Sequence, residues 1–208
     1  MLPFETIAAF FLASSLLALA PGPDNIFVLT QSALYGRLSG LVVVFGLCTG
    51  LLFHTAAVAF GVAVIFQASA AAFIALKVAG ACYLLYLAWQ AFRASPEEIQ
   101  MKGAAGKSPG ALYRRGIIMN ITNPKVSIFF LAFLPQFADP QRGSMSLQMI
   151  SFGGIFIIST VLIFGSIALI GGTLGEWLNR SALAQRIMNW VAGTVFAGLA
   201  IKLATAER

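Results

Sequence analysis

Six apolar runs, each long enough to cross a bilayer, constrain this chain more than any motif does. Within a few residues they extend over Phe4 to Leu34, Leu38 to Phe66, Ala68 to Phe92, Gly116 to Phe137, Leu147 to Leu174 and Ile187 to Ala204. A helical crossing of the hydrocarbon core takes about 20 mostly apolar residues. Six crossings therefore consume more than half of the 208 residues and leave one connection of any length, Arg93 to Arg115. With 59% of residues hydrophobic and 10% charged, no ordinary water-facing surface is expected. The expected fold is all-α and integral to the membrane, a single six-helix domain over residues 1–208 whose surroundings are the lipid bilayer.

The charge pattern agrees with this reading. A net charge of +6 would suggest nucleic acid in a soluble protein, but the basic residues cluster between the apolar runs, and no basic stripe with interleaved aromatics is present for bases to stack on. A nucleic-acid partner is not expected. With both termini outside, the cytoplasmic connections collect eight Lys and Arg and the outer ones three, so the positive-inside rule favours an N-out, C-out topology. The segment Met1 to Ala20 ends in Leu-Ala-Leu-Ala like a cleavage site, yet it starts with Glu5 and lacks Lys or Arg. A signal peptide has a basic start, so this segment is read as the first helix. Cys48 and Cys82 stand alone in apolar runs and are read as small core residues. The second and third runs are separated by little more than Gln67-Ala68-Ser69, which predicts a tight helical hairpin packed antiparallel.

A faint internal repeat is visible. Lys77-Val78-Ala79-Gly80 in the third run matches Trp190-Val191-Ala192-Gly193 in the sixth, and the first and fourth runs each carry a proline-centred interruption. Three helices followed by three more predict two inverted three-helix repeats, over residues 1–92 and 116–208 and joined by a cytoplasmic loop at 93–115. Gly46 and Gly50 form a small-residue stripe, and Gly153, Gly154, Gly171 and Gly172 crowd the fifth run. Close packing is their default meaning; a homodimer face and a sliding surface between the two halves both remain open. Tyr83, Tyr86 and Trp89 read as packing and interface anchors.

The interruptions carry the chemistry. Pro21 and Pro23 have no N–H for the carbonyls of Leu17 and Leu19, and Ala20 and Gly22 are pushed out of helical geometry. Unbroken, Phe4 to Leu34 would be about 46 Å long, well beyond a bilayer core. In the fourth run Asn123 is a suitable N-cap and Pro124 a suitable first helical residue, so a half-helix is expected from there to about Phe137. Helices one and four are thus expected to be broken, and broken backbone at membrane depth must be buried in protein or face a wet cavity. N–H groups opening the half-helices after Pro23 and Pro124 are suited to a carboxylate, while freed carbonyls and Asp24 are suited to an ammonium. An amino acid carries both groups.

Charged groups inside spans are costly unless paired or wet. Asp24 is suited to alternate between proton and substrate; its helix position and its burial act on its charge in opposite senses. Lys125 is suited to pair with Asp24 or with a substrate carboxylate. Lys77, nearer a helix end, reads equally well as a snorkelling side chain. His54, the only histidine, reads first as a hydrogen-bonded structural residue and second as a proton relay. No second ligand is spaced to hold a metal with it, so no metal and no cofactor is expected. The candidate pathway is Pro21, Gly22, Pro23, Asp24, Asn25, Asn120, Asn123, Pro124 and Lys125, with His54 and Lys77 as secondary candidates.

The stretches Ala20-Pro21-Gly22-Pro23-Asp24, Gly80-Ala81-Cys82-Tyr83-Leu84, Asn120-Ile121-Thr122-Asn123-Pro124-Lys125, Phe129-Phe130 and Phe133-Leu134-Pro135-Gln136-Phe137 together resemble the LysE/RhtB family of bacterial amino-acid exporters. The resemblance covers essentially the whole chain. It implies efflux of amino acids or their derivatives from the cytoplasm, by proton antiport, across the bacterial inner membrane. It does not select a substrate; the lack of a second acid inside helices two to five tilts the reading toward neutral amino acids. Two alternatives remain. A cation or metal exporter of a related six-helix type would want several acidic or histidine ligands in its spans. An intramembrane enzyme would need a nucleophile and base in reach of each other, and His54 with Ser14 or Ser32 would be an arbitrary choice, so enzymatic activity is not expected.

Overall fold

A helix in hydrocarbon bonds its own N–H and C=O groups, which makes it the natural element for a chain this apolar. Residues 2–62, 70–95 and 108–205 are described in the computed structural model, and among them every regular element is helical. Helix α1 (Phe4–Leu19) and α2 (Pro23–Tyr35) meet at a bend of 62°. Gly36, with φ 85°, turns the chain directly into α3 (Arg37–Ala57), which continues through one π-helical turn (Val58–Val62). Only glycine takes that φ without strain. Next come α4 (Ala70–Arg93) and α5 (Pro109–Thr122), the latter capped by Ser108. After a second bend of 51° follow α6 (Pro124–Ile128), a π-helical turn (Phe129–Phe133) and a 3-10 turn (Leu134–Phe137). The long α7 (Met145–Arg180) and α8 (Ala182–Thr205) complete the chain. Four described helices are long and apolar enough to cross a membrane, and six crossings result if each bent pair is one.

The surface is apolar, and a group of polar side chains is buried within an otherwise apolar interior, unlike the usual arrangement of a water-soluble domain. Phe45, Phe60, Ile158 and Ile201 stand on outer faces, while Asp24, Asn120, Asn123, Lys125, Ser159 and Thr160 are buried. Two apolar clusters flank that centre. One gathers the rings of Phe10, Phe129, Phe130, Phe133, Phe137, Phe152 and Phe156 between α1, the segment after α6, and α7, with neighbouring centroids as close as 4.8 Å in tilted arrangements. The other joins Val28, Val43, Leu47, Leu112 and Phe164 of α2, α3, α5 and α7.

Two expectations are corrected. Spans two and three do not form a packed hairpin: α3 lies mainly against α5 and α7, and α4 lies against α8. The expected turn at Gln67-Ala68-Ser69 lies outside the described residues. A short connection fixes only where two helix ends meet, and small-residue contacts decide the neighbours. Gly80 of α4 admits Leu203 of α8, and Gly193 of α8 admits Phe92 of α4. The connection expected at 93–115 is also shorter, because Ser108 and Pro109 start α5 there.

Helices α3 and α5 cross backbone to backbone. A Cβ on Gly46 would run into the Tyr113 carbonyl oxygen, and one on Gly116 would lie 2.6 Å from the Val43 carbonyl oxygen. Gly50 admits the Asn120 side chain, Gly153 admits Thr55 and Gly171 admits Ser32, whereas Gly154 and Gly172 have nothing within 4 Å. Lipid offers no hydrophobic drive for helix association, so van der Waals contact of this kind supplies it. Gly46→Ala is expected to destabilise by about 1–3 kcal/mol, and Gly154→Ala to be neutral or slightly stabilising. Unfolding midpoints of the purified protein in detergent rank the two; equal midpoints would contradict the crossing.

Candidate functional site

The site begins as a main-chain problem. Helix α1 ends when the Ala20 N–H bonds the Leu16 carbonyl, and the prolines that follow leave further carbonyls without ladder donors. Side chains from elsewhere take them. Lys125 Nζ, on α6, donates to the carbonyls of Leu17 at 3.2 Å and Ala20 at 2.9 Å, and Asn25 Nδ2 donates to Ala18 at 2.6 Å. The ammonium thus sits on the negative end of the α1 dipole. Burying such a group costs several kcal/mol, and hydrogen bonds to a charged group return about 1.5–3 kcal/mol each. The two carbonyls therefore offset much of the burial, and the remainder falls to nearby charge.

The two bends differ in what they leave free. At the second, Asn123 Oδ1 accepts from the Lys125 N–H at 3.0 Å, and the Asn123 carbonyl accepts from the N–H groups of Val126 and Ser127. The expectation of an open N-terminus after Pro124 is therefore corrected: Asn123 occupies those donors itself. At the first, the N-cap is Gly22, which has no side chain, and the first main-chain bond of α2 runs from Ile26 N–H to the Gly22 carbonyl. The Asp24 and Asn25 amides precede it in the helix's first turn.

Asp24, Asn25, Asn120, Asn123 and Lys125 are all buried, and Pro21, Gly22, Pro23 and Pro124 adjoin them on the two bends. The side chains of Asn120, Asn123, Lys125 and His54 surround the Asp24 carboxyl group. Asp24 and Lys125 make no contact ion pair, since the ammonium is turned onto α1. His54 Nε2 lies 3.1 Å from the Asn120 carbonyl oxygen, with its ring 5.5 Å from that of Phe130. It ties α3 to the second bend. Among the described residues, the buried side-chain atoms without a hydrogen-bond partner are Asp24 Oδ1, Asn25 Oδ1, Asn120 Oδ1 and Asn123 Nδ2 at the bends, with Gln31 Oε1 and Ser32 Oγ further along α2. An orphaned polar group in a low-dielectric interior costs about 1–3 kcal/mol, so four at one place mark somewhere a polar solute can be received.

A cavity of about 440 Å³ opens at the bends, lined by Pro21, Gly22, Asn123 and Lys125 and bounded on the far side by α4 and α8, while Asp24, Asn25 and Asn120 lie behind its wall and do not line it. Tyr83 and Gln90 of α4 and Asn189 of α8 face it, and sequence reasoning missed Gln90 and Asn189. The available signal was spacing: Tyr83 and Gln90 are seven residues apart and share a helix face. Tyr86 and Trp89 are exposed on the outer side, with the Arg93 guanidinium 4.9 Å above the Trp89 ring. Lys77 is half-buried on α4 and neither lines this cavity nor stands among the groups around Asp24. No group of three His, Cys, Asp or Glu among the described residues is placed to hold a metal ion.

Removing Lys125 orphans two carbonyls and leaves Asp24 without its nearby cation. Lys125→Met is expected to destabilise by about 3 kcal/mol or more. In a double-mutant cycle with Asp24→Asn the coupling should reach about 0.5–3 kcal/mol. Unfolding midpoints in detergent measure it, and strict additivity would show that the two charges do not interact.

Comparison with known proteins agrees with this architecture. The family profile described as LysE type translocator matches residues 15–207. A homoserine/homoserine lactone efflux protein of Salmonella typhimurium is 32% identical over 204 residues, covering 98% of each chain. An uncharacterized membrane protein of Vibrio cholerae is 31% identical and covers 96% of each chain. Another, YrhP of Bacillus subtilis, is 28% identical over 95% of this chain and 98% of its own. No solved structure matches. With its apolar spans and a profile match over nearly its whole length, this multi-pass membrane protein belongs to the LysE-type translocator family.

Proposed function

We propose that the chain exports small amino-acid-type solutes from the cytoplasm through the cavity at the two bends, by exchange against protons. The observation that carries this reading is the pairing of buried opposite charges with unpaired hydrogen-bonding atoms. A substrate ammonium would engage Asp24 Oδ1 together with the acceptor oxygens of Asn25 and Asn120. A substrate carboxylate would engage the Lys125 ammonium, Asn123 Nδ2 and the amides opening α2. A proton and a substrate ammonium compete for one carboxylate, and that competition is the minimal requirement of an antiporter. Asp24 is the one acid among the buried described residues, so the α-ammonium uses it up, and an uncharged substrate side chain is favoured. Homoserine, for which efflux relatives are named, has that chemistry; its lactone, also in their name, keeps the ammonium but has no free carboxylate.

The same reading includes two inverted three-helix repeats, a bacterial inner-membrane location and both termini outside. Support for the repeat comes from exchange-like packing: span two meets span five, span three meets span six, and Gly80 and Gly193 of the two Val-Ala-Gly sequences each receive a side chain of the other's helix. Support for the orientation comes from the eight basic residues on one side against three on the other. A homodimer is compatible with the open faces at Gly154 and Gly172.

The test is efflux from bacterial cells loaded with a panel of amino acids, comparing the intact chain with Asp24→Asn and Lys125→Ala at matched membrane levels. Loss of one charge-assisted hydrogen bond is worth about 1.5–3 kcal/mol, so export should fall by about ten- to a hundredfold in each variant. Undiminished export in both would move the route away from the bends. An intact chain that exports nothing on the panel would refute the substrate class.

A further inference from the structure

A second cavity, of about 470 Å³, lies on the other side of the first bend. Its walls are Leu29 of α2, Leu174 and Leu178 of α7, and Ala184, Ile187 and Met188 of α8, and they are almost wholly apolar. Two things set it apart from an ordinary gap between lipid-facing helices. Pro21 and Ile26 line both this cavity and the polar one, so the two are neighbouring compartments divided by one turn of chain. The single buried polar side chain reaching the apolar compartment is Asn25, whose Oδ1 has no partner. That oxygen and Lys125 Nζ both lie close to Gly22, at 3.9 Å and 3.2 Å from where a Cβ would stand.

We infer that the apolar cavity is the side-chain compartment of the transport site, so that the preferred substrates are amino acids or amino-acid derivatives with a sizeable apolar side chain. This rests on the proposed export function and specifies it. With its charged groups at Asp24 and Lys125 and an N–H at Asn25 Oδ1, such a solute would extend its apolar part past Ile26 toward Leu174 and Met188. The volume falls within the range of small-molecule sites, which are mostly apolar with a few placed polar groups. A membrane-lipid chain could also enter an apolar cavity, but it has no donor for Asn25 Oδ1 and no use for the shared wall with the charged compartment. Apolar pockets discriminate by about tenfold or more per methylene, so leucine should be exported at least tenfold faster than alanine or homoserine at equal low loading.

Two substitutions of opposite sense test this away from the charged groups. Ala184→Phe fills the compartment while keeping the cap from Ser181 Oγ, which accepts the Ala184 main-chain N–H at 3.1 Å. Met188→Ala enlarges it. Efflux of alanine, homoserine, leucine and phenylalanine is measured for each variant at matched membrane levels. The expected result is a fall of about tenfold in the leucine-to-alanine ratio for Ala184→Phe, with an unchanged unfolding midpoint in detergent as the sign of a folded carrier. Met188→Ala should shift preference toward phenylalanine. Ratios unchanged in both variants, with all rates moving together as a lipid-filled cavity would produce, would overturn the inference while leaving amino-acid export standing. No export of any panel member by the intact chain would overturn both.

Discussion

Hydrocarbon does not hydrogen-bond, and a helix interrupted at membrane depth must find donors for the carbonyls it frees. The end of α1 is closed by the Lys125 ammonium on the Leu17 and Ala20 carbonyls and by the Asn25 amide on Ala18. That closure links residues more than a hundred positions apart and brings the first and second bends together. It also bears on the chemistry: the cation that completes the main chain is the one proposed to meet a substrate carboxylate. Asp24, Asn120 and Asn123 are buried next to one another there with several hydrogen-bonding atoms unspent. A structural necessity of the broken helix and the polarity a carrier needs are met by one group of side chains.

The rest of the fold holds those bends in place by two different kinds of packing. Between α3 and α5 the helices touch through Gly46 and Gly116, a contact with little freedom to slide because main-chain atoms form both surfaces. Around Phe129, Phe133 and Phe137 the contact is made by rings, and the chain there runs through π-helical and 3-10 turns. Such turns interrupt the ordinary i to i−4 ladder and occur often near functional positions. The Lys202 ammonium, 4.3 Å from the Phe137 ring, closes the end of that segment from α8.

Much of this was legible in the sequence, because length and hydropathy decide whether a segment can cross a bilayer whatever its neighbours are. The membrane class and the family follow from the six runs and the motifs within them. What could not be read was tertiary. Proline chemistry says where a ladder bond is missing but not which side chain replaces it, so the sequence offers Lys125 as a partner of Asp24 or of a substrate carboxylate and does not show its hydrogen bonds to the end of α1. Asn123 is legible as a cap, but that its Oδ1 takes the Lys125 N–H and so fills its own helix terminus depends on the side-chain rotamer. The hairpin expected from Gln67-Ala68-Ser69 failed because connection length bounds only the ends of α3 and α4, while Gly80 and Gly193 select α8 as the partner of α4. Asn189 was invisible as a site residue because a single polar position on a long helix has no local signature, and the seven-residue spacing of Tyr83 and Gln90 marks a shared face without saying what that face meets. Only the packing of α4 and α8 brings both positions to the cavity, Gln90 at its exposed edge, where its amide donates to the Tyr86 hydroxyl.

The central claim is that the cavity between the two bends, α4 and α8 is where the solute binds. The chain has two cysteines, Cys48 and Cys82, so a cysteine-free form is two substitutions away, and single cysteines can then be placed at Gln90, which lines the cavity, and at Tyr86, which faces outward. The most direct measurement is the rate at which a small thiol reagent labels each in membranes, with and without a saturating exported amino acid. The account predicts that the amino acid slows labelling of Gln90→Cys and leaves Tyr86→Cys unaffected. Equal labelling of Gln90→Cys with and without a solute the protein demonstrably exports would contradict it.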